Sequence, residues 1–206
     1  MPPLKVPEEF IRMAAKKVAD YISEQRVLFE SKAALIPADD QAALQPFFHA
    51  NVLDEVKVVR GKVSDPPFYA QLRSLGIHNM PAFSELAGIT FVDMVVHVEP
   101  LTRSLLFHEL VHVVQYRHLG VAGFADLYVR GFLNGGSYEE IPLEKQAYEL
   151  EARFAENGEA FSVDEDVQRR RKLGQLSNPE FEARRAPATS LSSPFPRLPP
   201  STATPR

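Results

Sequence analysis

The first thirty residues carry a helical pattern of apolar positions. In EEFIRMAAKKVADYISEQRVLFE, apolar residues return every three or four positions. This spacing predicts an amphipathic helix over about Pro7 to Phe29. Pro37 and the two aspartates that follow it predict the start of a second, short helix. Farther on, FYAQLRSLG predicts another short helix that ends at Gly76.

Two later segments favour β-strands. EVKVVRGKV is short and β-branched, and SDPP follows it, so it predicts a strand. GITFVDMVVHVEP predicts a second strand that ends at Pro100. Alternate residues of this segment form a mostly apolar face, which is typical of an edge or near-edge strand packed on the core. That face consists of Thr90, Val92, Met94, Val96 and Val98.

The C-terminal half returns to helical spacing. One helix is predicted from about Thr102 to Leu119, with Gly120 as its C-terminal signal. A further helix follows and is broken by NGG, and Pro142 then begins a helix that runs to about Glu156. The remainder from Ala186 is rich in Pro, Ser and Thr, which predicts a disordered tail over 186–206.

The predicted fold class is α+β and mainly helical, with a small sheet packed on the helix that begins near Thr102. We expect one domain over 1–185. Its parts are a helical N-terminal part (about 1–55), a core (about 56–157) and a C-terminal helical extension to about 185. At 206 residues and 45% hydrophobic content, the chain is long enough to fill one core.

Composition narrows the classes of function. A net charge of −4 and a pI near 5.9 give no reason to expect nucleic acid as a partner. No leader-like or membrane-spanning apolar run is present, so we expect a cytoplasmic protein without a membrane partner. Cysteine is absent. Any metal site must therefore use His, Asp or Glu. The oligomeric state is not predicted.

The segment LFHELVHVVQYRHLG contains the pattern that predicts chemistry. His108, Glu109 and His112 lie among apolar residues, where ionisable groups are costly to bury without partners. Residues four apart share a helix face, so both imidazoles can reach one ion. Glu109 lies about 100° around the helix, beside that ion, where it can accept a proton from a water. The alternative, a polar stripe on an ordinary surface helix, fits poorly with the apolar neighbours.

A catalytic zinc site needs a third protein ligand. The other histidines do not continue the helix face: His49, His78, His97 and His118. In IPLEKQAYELEARFAE, Glu144 shares a face with Ala147, whose small side chain allows close packing against the histidine helix. Glu144 is therefore the predicted ligand. Glu149 and Glu151 are interpreted as solvated helix surface.

These motifs resemble those of the gluzincin metallopeptidases, in particular the compact bacterial zincin-like domains. HELVHVVQY and the E-x-x-A form of EKQA carry the resemblance, which covers about Gly88 to Ala155. It implies that His108, His112 and Glu144 bind Zn2+ and that Glu109 is the general base. It also implies that the strand before the zinc helix lines the cleft and pairs with an extended peptide substrate.

The chain departs from the thermolysin-like pattern at two points. In the thermolysin-like pattern an aspartate orients the first histidine, and Tyr148 occupies the position of that aspartate. The hydrogen bonds that orient the ligand histidines must therefore differ here. No residue is identified as the stabiliser of the oxyanion, and the candidates are Tyr138, Tyr148 and His97. Gln115 falls on the histidine stripe, where it can support a ligand or serve as a buried amide bonded to the backbone.

The expected function is that of a zinc metallopeptidase, a hydrolase that acts on a peptide or protein substrate. Zinc would polarise the scissile carbonyl and lower the pKa of its water to about 7, with Glu109 as the base. One alternative is a weak or inactive zincin-like domain that binds zinc or a partner. The others are hydrolysis of a non-peptide amide and a helical interaction protein without metal. The presence of Glu109 favours an enzyme.

Overall fold

The computed structural model describes residues 6–74, 76, 80, 82–98, 100–135, 138–156 and 159–177. The predicted tail over 186–206 and the end of the predicted C-terminal extension lie outside these residues. Among the helices within them, none combines the length and the apolar character needed to cross a membrane.

The N-terminal half begins with the long helix that the apolar spacing predicts. Helix α1 spans Glu8–Glu30, and its acidic first turn, Glu8 and Glu9, suits the positive end of the helix dipole. Three short helices follow: α2 (Ala38–Leu44), α3 (Ala50–Glu55) and α4 (Tyr69–Ser74). A 3-10 turn lies at Phe83–Glu85. The predictions for α1, α2 and α4 are confirmed, whereas α3 was not predicted.

A four-stranded sheet forms the second layer. Its strands are β1 (Ala34–Leu35), β2 (Lys57–Arg60), β3 (Gly88–Phe91) and β4 (Met94–His97), in the spatial order β1-β2-β4-β3. Strands β2 and β4 are parallel, and the other two pairs are antiparallel. Strand β3 is therefore an edge strand of the sheet.

The prediction of one continuous strand from Gly88 to Pro100 is wrong. The segment folds back on itself as a hairpin, in which Phe91 pairs with Met94 and Thr90 pairs with Val95. Val92 adopts a positive φ of 65° in the turn, and Arg26 of α1 binds both carboxylate oxygens of Asp93 at 2.5 and 2.8 Å. Alternating β-branched residues suit either arrangement, and the tertiary ion pair fixes the turn.

Three helices complete the fold: α5 (Arg103–Gly135), α6 (Pro142–Ala155) and α7 (Val163–Lys172). Gly120 interrupts α5 with φ 68° and ψ 167°, so two helical segments meet there. A positive φ is easily adopted by glycine, which is why the predicted helix end at Gly120 is confirmed as a break. The predicted helix from Pro142 is also confirmed.

The first segment of α5 is the centre of the core. Helix α5 as a whole lies against β3 and β4 and packs on α1, α6 and α7. The apolar side chains of its first segment are almost completely buried, each contributing roughly 1.5–3 kcal/mol to folding. They are Leu106, Phe107, Leu110, Val111, Val113 and Val114. The α+β, mainly helical class is thus confirmed, and the polar residues of HELVH lie inside this core.

Candidate metal centre

Helix α5 brings its two predicted ligand histidines together. His108 and His112 lie one turn apart, and only 6% and 5% of their surfaces are exposed. Their Nε2 atoms are 3.2 Å apart. Both imidazoles therefore direct a nitrogen to one point in the core, as the four-residue spacing predicts.

Helix α6 supplies the predicted carboxylate. Glu144 Oε2 lies 3.5 Å from His108 Nε2 and 3.3 Å from His112 Nε2. Close packing of the two helices makes this approach possible. Ala147 is fully buried between them, and a Cβ built on Gly131 of α5 would lie only 2.8 Å from Pro142 Cδ. The small residues Ala147 and Gly131 thus allow Glu144 to approach the two histidines closely.

Glu151 also reaches this centre, so its interpretation as solvated surface is wrong. Glu151 Oε2 is 3.1 Å from His108 Nδ1, and Ser104 Oγ donates to Glu151 Oε1 at 2.6 Å. A carboxylate accepts hydrogen bonds, so His108 Nδ1 carries the proton and Nε2 keeps its lone pair in the neutral ring. Glu151 lies two helical turns from Glu144 on the same face, which was the available sequence signal. Glu149 instead pairs with Arg170 on the surface.

Gln115 fixes the second imidazole in the same way. Its Nε2 donates to the carbonyl oxygen of Leu143 at 2.9 Å and to Gln146 Oε1 at 3.0 Å. Its Oε1 is therefore the acceptor that faces His112 Nδ1, at 2.8 Å. Gln146 in turn donates to Asp166 of α7 at 2.8 Å. Gln115 thus contacts both the ring of His112 and the backbone. The continuation through Gln146 was missed because periodicity does not show which side chains meet.

These contacts test whether the three residues fit a metal. In the neutral rings, the Nε2 lone pairs lie on the side of Glu144 Oε2, which is a buried oxygen without a hydrogen-bond partner among the described residues. The three ligand atoms are 3.2–3.5 Å apart. Tetrahedral zinc, with ligands at about 2.0–2.1 Å, requires spacings of about 3.3–3.4 Å. The residues fit a divalent cation with three protein ligands, the arrangement that leaves a catalytic zinc one further position.

The electrostatics of the cluster point the same way. Burial alone would raise the pKa of Glu144, but the imidazoles of His112 and His108 outweigh burial and lower its pKa to about 2. Burial disfavours charged His108, yet Glu144 and Glu151 outweigh burial and raise its pKa to about 10. In the metal-free protein the ionised carboxylates thus favour a proton on His108, and a bound cation would take the place of that proton.

Glu109 lies beside the cluster in a fixed position. It is 3% exposed, and its Oε2 accepts a hydrogen bond from Thr90 Oγ1 of β3 at 2.7 Å. A Cβ built on Gly88 would lie 2.7 Å from Glu109 Oε1, so only glycine leaves room for the carboxylate there. Burial raises the pKa of Glu109, which makes it a better proton acceptor. The roles of Thr90 and Gly88 were missed because they depend on how the hairpin meets α5.

Two of the three candidates for oxyanion stabilisation lie near the candidate ligand residues. Tyr138 lines the same cavity as Glu144, and burial, followed by the negative charge of Glu144, raises the pKa of Tyr138. The ring of Tyr148 lies 4.6 Å from that of His108, and its surface is 45% exposed. His97 is on β4, where it pairs with Gly88. Both tyrosines therefore lie near the candidate metal ligands.

Among the described residues, the other histidines take no part in the cluster. His118 contacts Asp164 at 2.8 Å and His49 contacts the same carboxylate at 3.9 Å, so both belong to the α7 side of the molecule. His97 is not in the group of potential metal ligands, and His78 lies outside the described residues. Glu144 therefore remains the third ligand candidate.

Comparisons with known proteins identify no relative. A scan against protein-family models, a search of curated proteins and a search of solved structures each found no match to this chain.

Proposed function

We propose that the protein is a zinc-dependent metallopeptidase in which His108, His112 and Glu144 hold the ion and Glu109 is the general base. One observation carries the proposal. Two imidazole nitrogens and an unpartnered carboxylate oxygen converge at 3.2–3.5 Å, with a buried glutamate beside them. When bound there, zinc supplies Lewis acidity, which polarises a carbonyl and lowers the pKa of a nearby water.

The chain's own residues perform the proton transfers. Glu109, held by Thr90, accepts a proton from the attacking water as the water oxygen bonds to the carbonyl carbon. The carbon–nitrogen bond then breaks, and the proton passes from Glu109 to the leaving nitrogen. The products are a carboxylic acid and an amine, so one water is consumed for each amide bond. Glu151 and Gln115 keep the imidazoles oriented throughout.

A second candidate is a zinc-binding domain without significant hydrolysis. The observation in its favour is burial, because His108, Glu109, His112 and Glu144 are each at most 6% exposed. In that case the ion would serve stability, since a ligand bound only by the folded state adds to its free energy of unfolding.

Zinc content and hydrolysis distinguish these functions. Dialysed wild type should hold one zinc per chain by elemental analysis, Glu144→Ala should lose it and Glu149→Ala should keep it. Hydrolysis of a mixed peptide library by wild type should disappear in Glu109→Gln while the zinc remains. Hydrolysis that persists in Glu109→Gln refutes the assigned base. Zinc binding without hydrolysis in wild type favours the second candidate, and absence of zinc after zinc is supplied refutes both.

A further inference from the structure

A cavity adjoins the candidate metal centre. Its volume is about 70 Å³, and Glu109, His112 and Glu144 form one side of it. Its other lining residues include side chains of α1. We call this cavity the apolar recess, and define it by six of its apolar and aromatic lining residues: Val18, Ile22, Phe83, Ile89, Phe124 and Tyr128.

Aromatic side chains that pack against one another form the walls of the recess, which makes the walls rigid. The ring centroid of Tyr21 lies 6.0 Å from that of Phe83 and 6.0 Å from that of Phe91. On the α5 side, Phe124 stacks on Tyr116 at 3.9 Å and on Tyr128 at 6.0 Å. Close-packed interiors resist changes of volume, so the recess selects its occupant by size.

The recess offers little to a polar occupant. The described residues that line it include no lysine or arginine, and its carboxylates, Glu109 and Glu144, belong to the metal centre. The hydroxyl of Tyr21 donates to the backbone oxygen of Ser64 at 2.6 Å, and that of Tyr116 donates to Thr90 O at 3.3 Å. An acidic side chain would lose its water there without gaining a cationic partner, and the mostly apolar lining favours an apolar occupant.

Size restricts the occupant further. A dry cavity known to hold benzene has a volume of about 150 Å³. The recess, at about 70 Å³, is half as large. It has room for a branched aliphatic side chain but not, without movement of its walls, for an aromatic ring or a length of extended peptide.

We propose that the apolar recess is the specificity pocket for a residue next to the hydrolysed bond, and that the preferred substrates carry leucine, isoleucine or valine there. The assignment rests on the proposed function, because it places the scissile amide beside Glu109. The adjoining Glu109, His112 and Glu144 identify the occupant as part of the substrate rather than a separate ligand.

Binding can be measured without hydrolysis. The full-length chain in EDTA is titrated with N-acetyl-leucinamide and with N-acetyl-asparaginamide, which has nearly the same shape but is polar, and shifts in amide NMR signals are followed. The leucine compound should bind at least tenfold more tightly than the asparagine compound, and more tightly than N-acetyl-phenylalaninamide. Equal binding of the leucine and asparagine compounds overturns the proposal.

Two variants of Val18 test the place of binding. Val18→Phe fills the recess and should reduce binding of the leucine compound at least tenfold. Val27→Phe is the matched control, since Val27 lies on the same helix but is 66% exposed, and binding should not change. Val18→Ala enlarges the recess and should improve binding of the phenylalanine compound relative to the leucine compound, which keeps the test valid if Val18→Phe does not fold. Unchanged selectivity in Val18→Ala overturns the proposal.

Hydrolysis separates this inference from the proposed function. Cleavage that depends on Glu109, occurs beside aliphatic residues and falls in Val18→Phe supports both. Cleavage that depends on Glu109 but occurs beside charged or polar residues overturns the assignment of the recess and leaves the metallopeptidase intact. Selective binding of the leucine compound without any cleavage that depends on Glu109 contradicts the metallopeptidase and leaves an apolar binding pocket.

Discussion

His108 Nδ1 and Glu151 Oε2 lie 3.1 Å apart, although their positions are 43 residues apart in the chain. The contact joins α5 to α6 and determines which ring nitrogen of His108 keeps its lone pair. The ring of Tyr148, on the same face of α6, lies 4.6 Å from that of His108. Here Glu151, one helical turn farther along α6, orients the ring.

We expect Glu151→Ala to weaken zinc binding about 10–100-fold, because the imidazole loses the acceptor that fixes its orientation. Glu151→Gln should lose less, since the amide oxygen can still accept the proton. The dissociation constant is measured by competition with a zinc chelator. Glu149→Ala is the control, because Glu149 pairs with Arg170 on the surface. Equal affinity in wild type and Glu151→Ala would contradict the assigned contact.

The substitution Gln115→Met should destabilise the metal-free protein by about 1–3 kcal/mol, because Leu143 O loses a donor and His112 Nδ1 loses an acceptor inside the core. Zinc affinity should fall as well. Urea unfolding in EDTA gives the free energy, and chelator competition gives the affinity. Gln168→Met makes the same change at an exposed position on α7. If both variants unfold at the same urea concentration, the buried contacts of Gln115 do not make the expected contribution to the free energy of unfolding.

Gly88→Ala tests the position of the general base. The added Cβ would meet Glu109 Oε1 at 2.7 Å, and the end of the glutamate side chain can move more easily than the strand. We expect zinc content and folding to be kept while hydrolysis falls roughly 10–100-fold, since displacement of a catalytic group by about 1 Å has this effect. Gly123→Ala is the control, because its Cβ meets only Leu119 Cβ at an ordinary 3.5 Å. Unimpaired hydrolysis in Gly88→Ala would show that the carboxylate can act from another position.

The ion pair between Glu8 and Arg130 should make the free energy of unfolding depend on pH in the acidic range. Arg130 donates to both oxygens of Glu8 at 2.9 and 2.6 Å, and this hydrogen bonding lowers the pKa of Glu8 to about 2. A lowered pKa in the folded state means that the contribution is complete above the unfolded value of 4.5 and is lost as the pH falls toward 2. Because Glu8 is 44% exposed, the contribution is about 1 kcal/mol or less.

The measurement is the difference in free energy of unfolding between wild type and Glu8→Gln, in EDTA. It should be present at pH 6 and should vanish near pH 2. Glu9→Gln, an exposed change in the same first turn of α1, shows the effect of removing one charge from the helix end. A difference between wild type and Glu8→Gln that stays constant from pH 6 to pH 2 would contradict the ion pair.

The sequence by itself determined the elements whose signals are local. Helical spacing gave α1 and α6, the positive φ required at Gly120 gave the break in α5, and the four-residue spacing of His108 and His112 put two imidazoles on one face. The position of Glu144 beside these imidazoles was also predicted, because the small Ala147 indicated close packing of two helices. Each of these inferences depends on backbone geometry within one element.

Only the tertiary structure decided what depends on contacts between elements. The segment from Gly88 turns back at Val92 because Arg26, distant in sequence, holds Asp93. Glu151 faces His108 rather than water because α6 packs tightly on α5, and the recess exists because α1 closes it with Val18 and Ile22. The local sequence around an apolar or charged residue is the same whether its side chain contacts another element or faces water. The partner that the side chain meets across the core therefore decides its role.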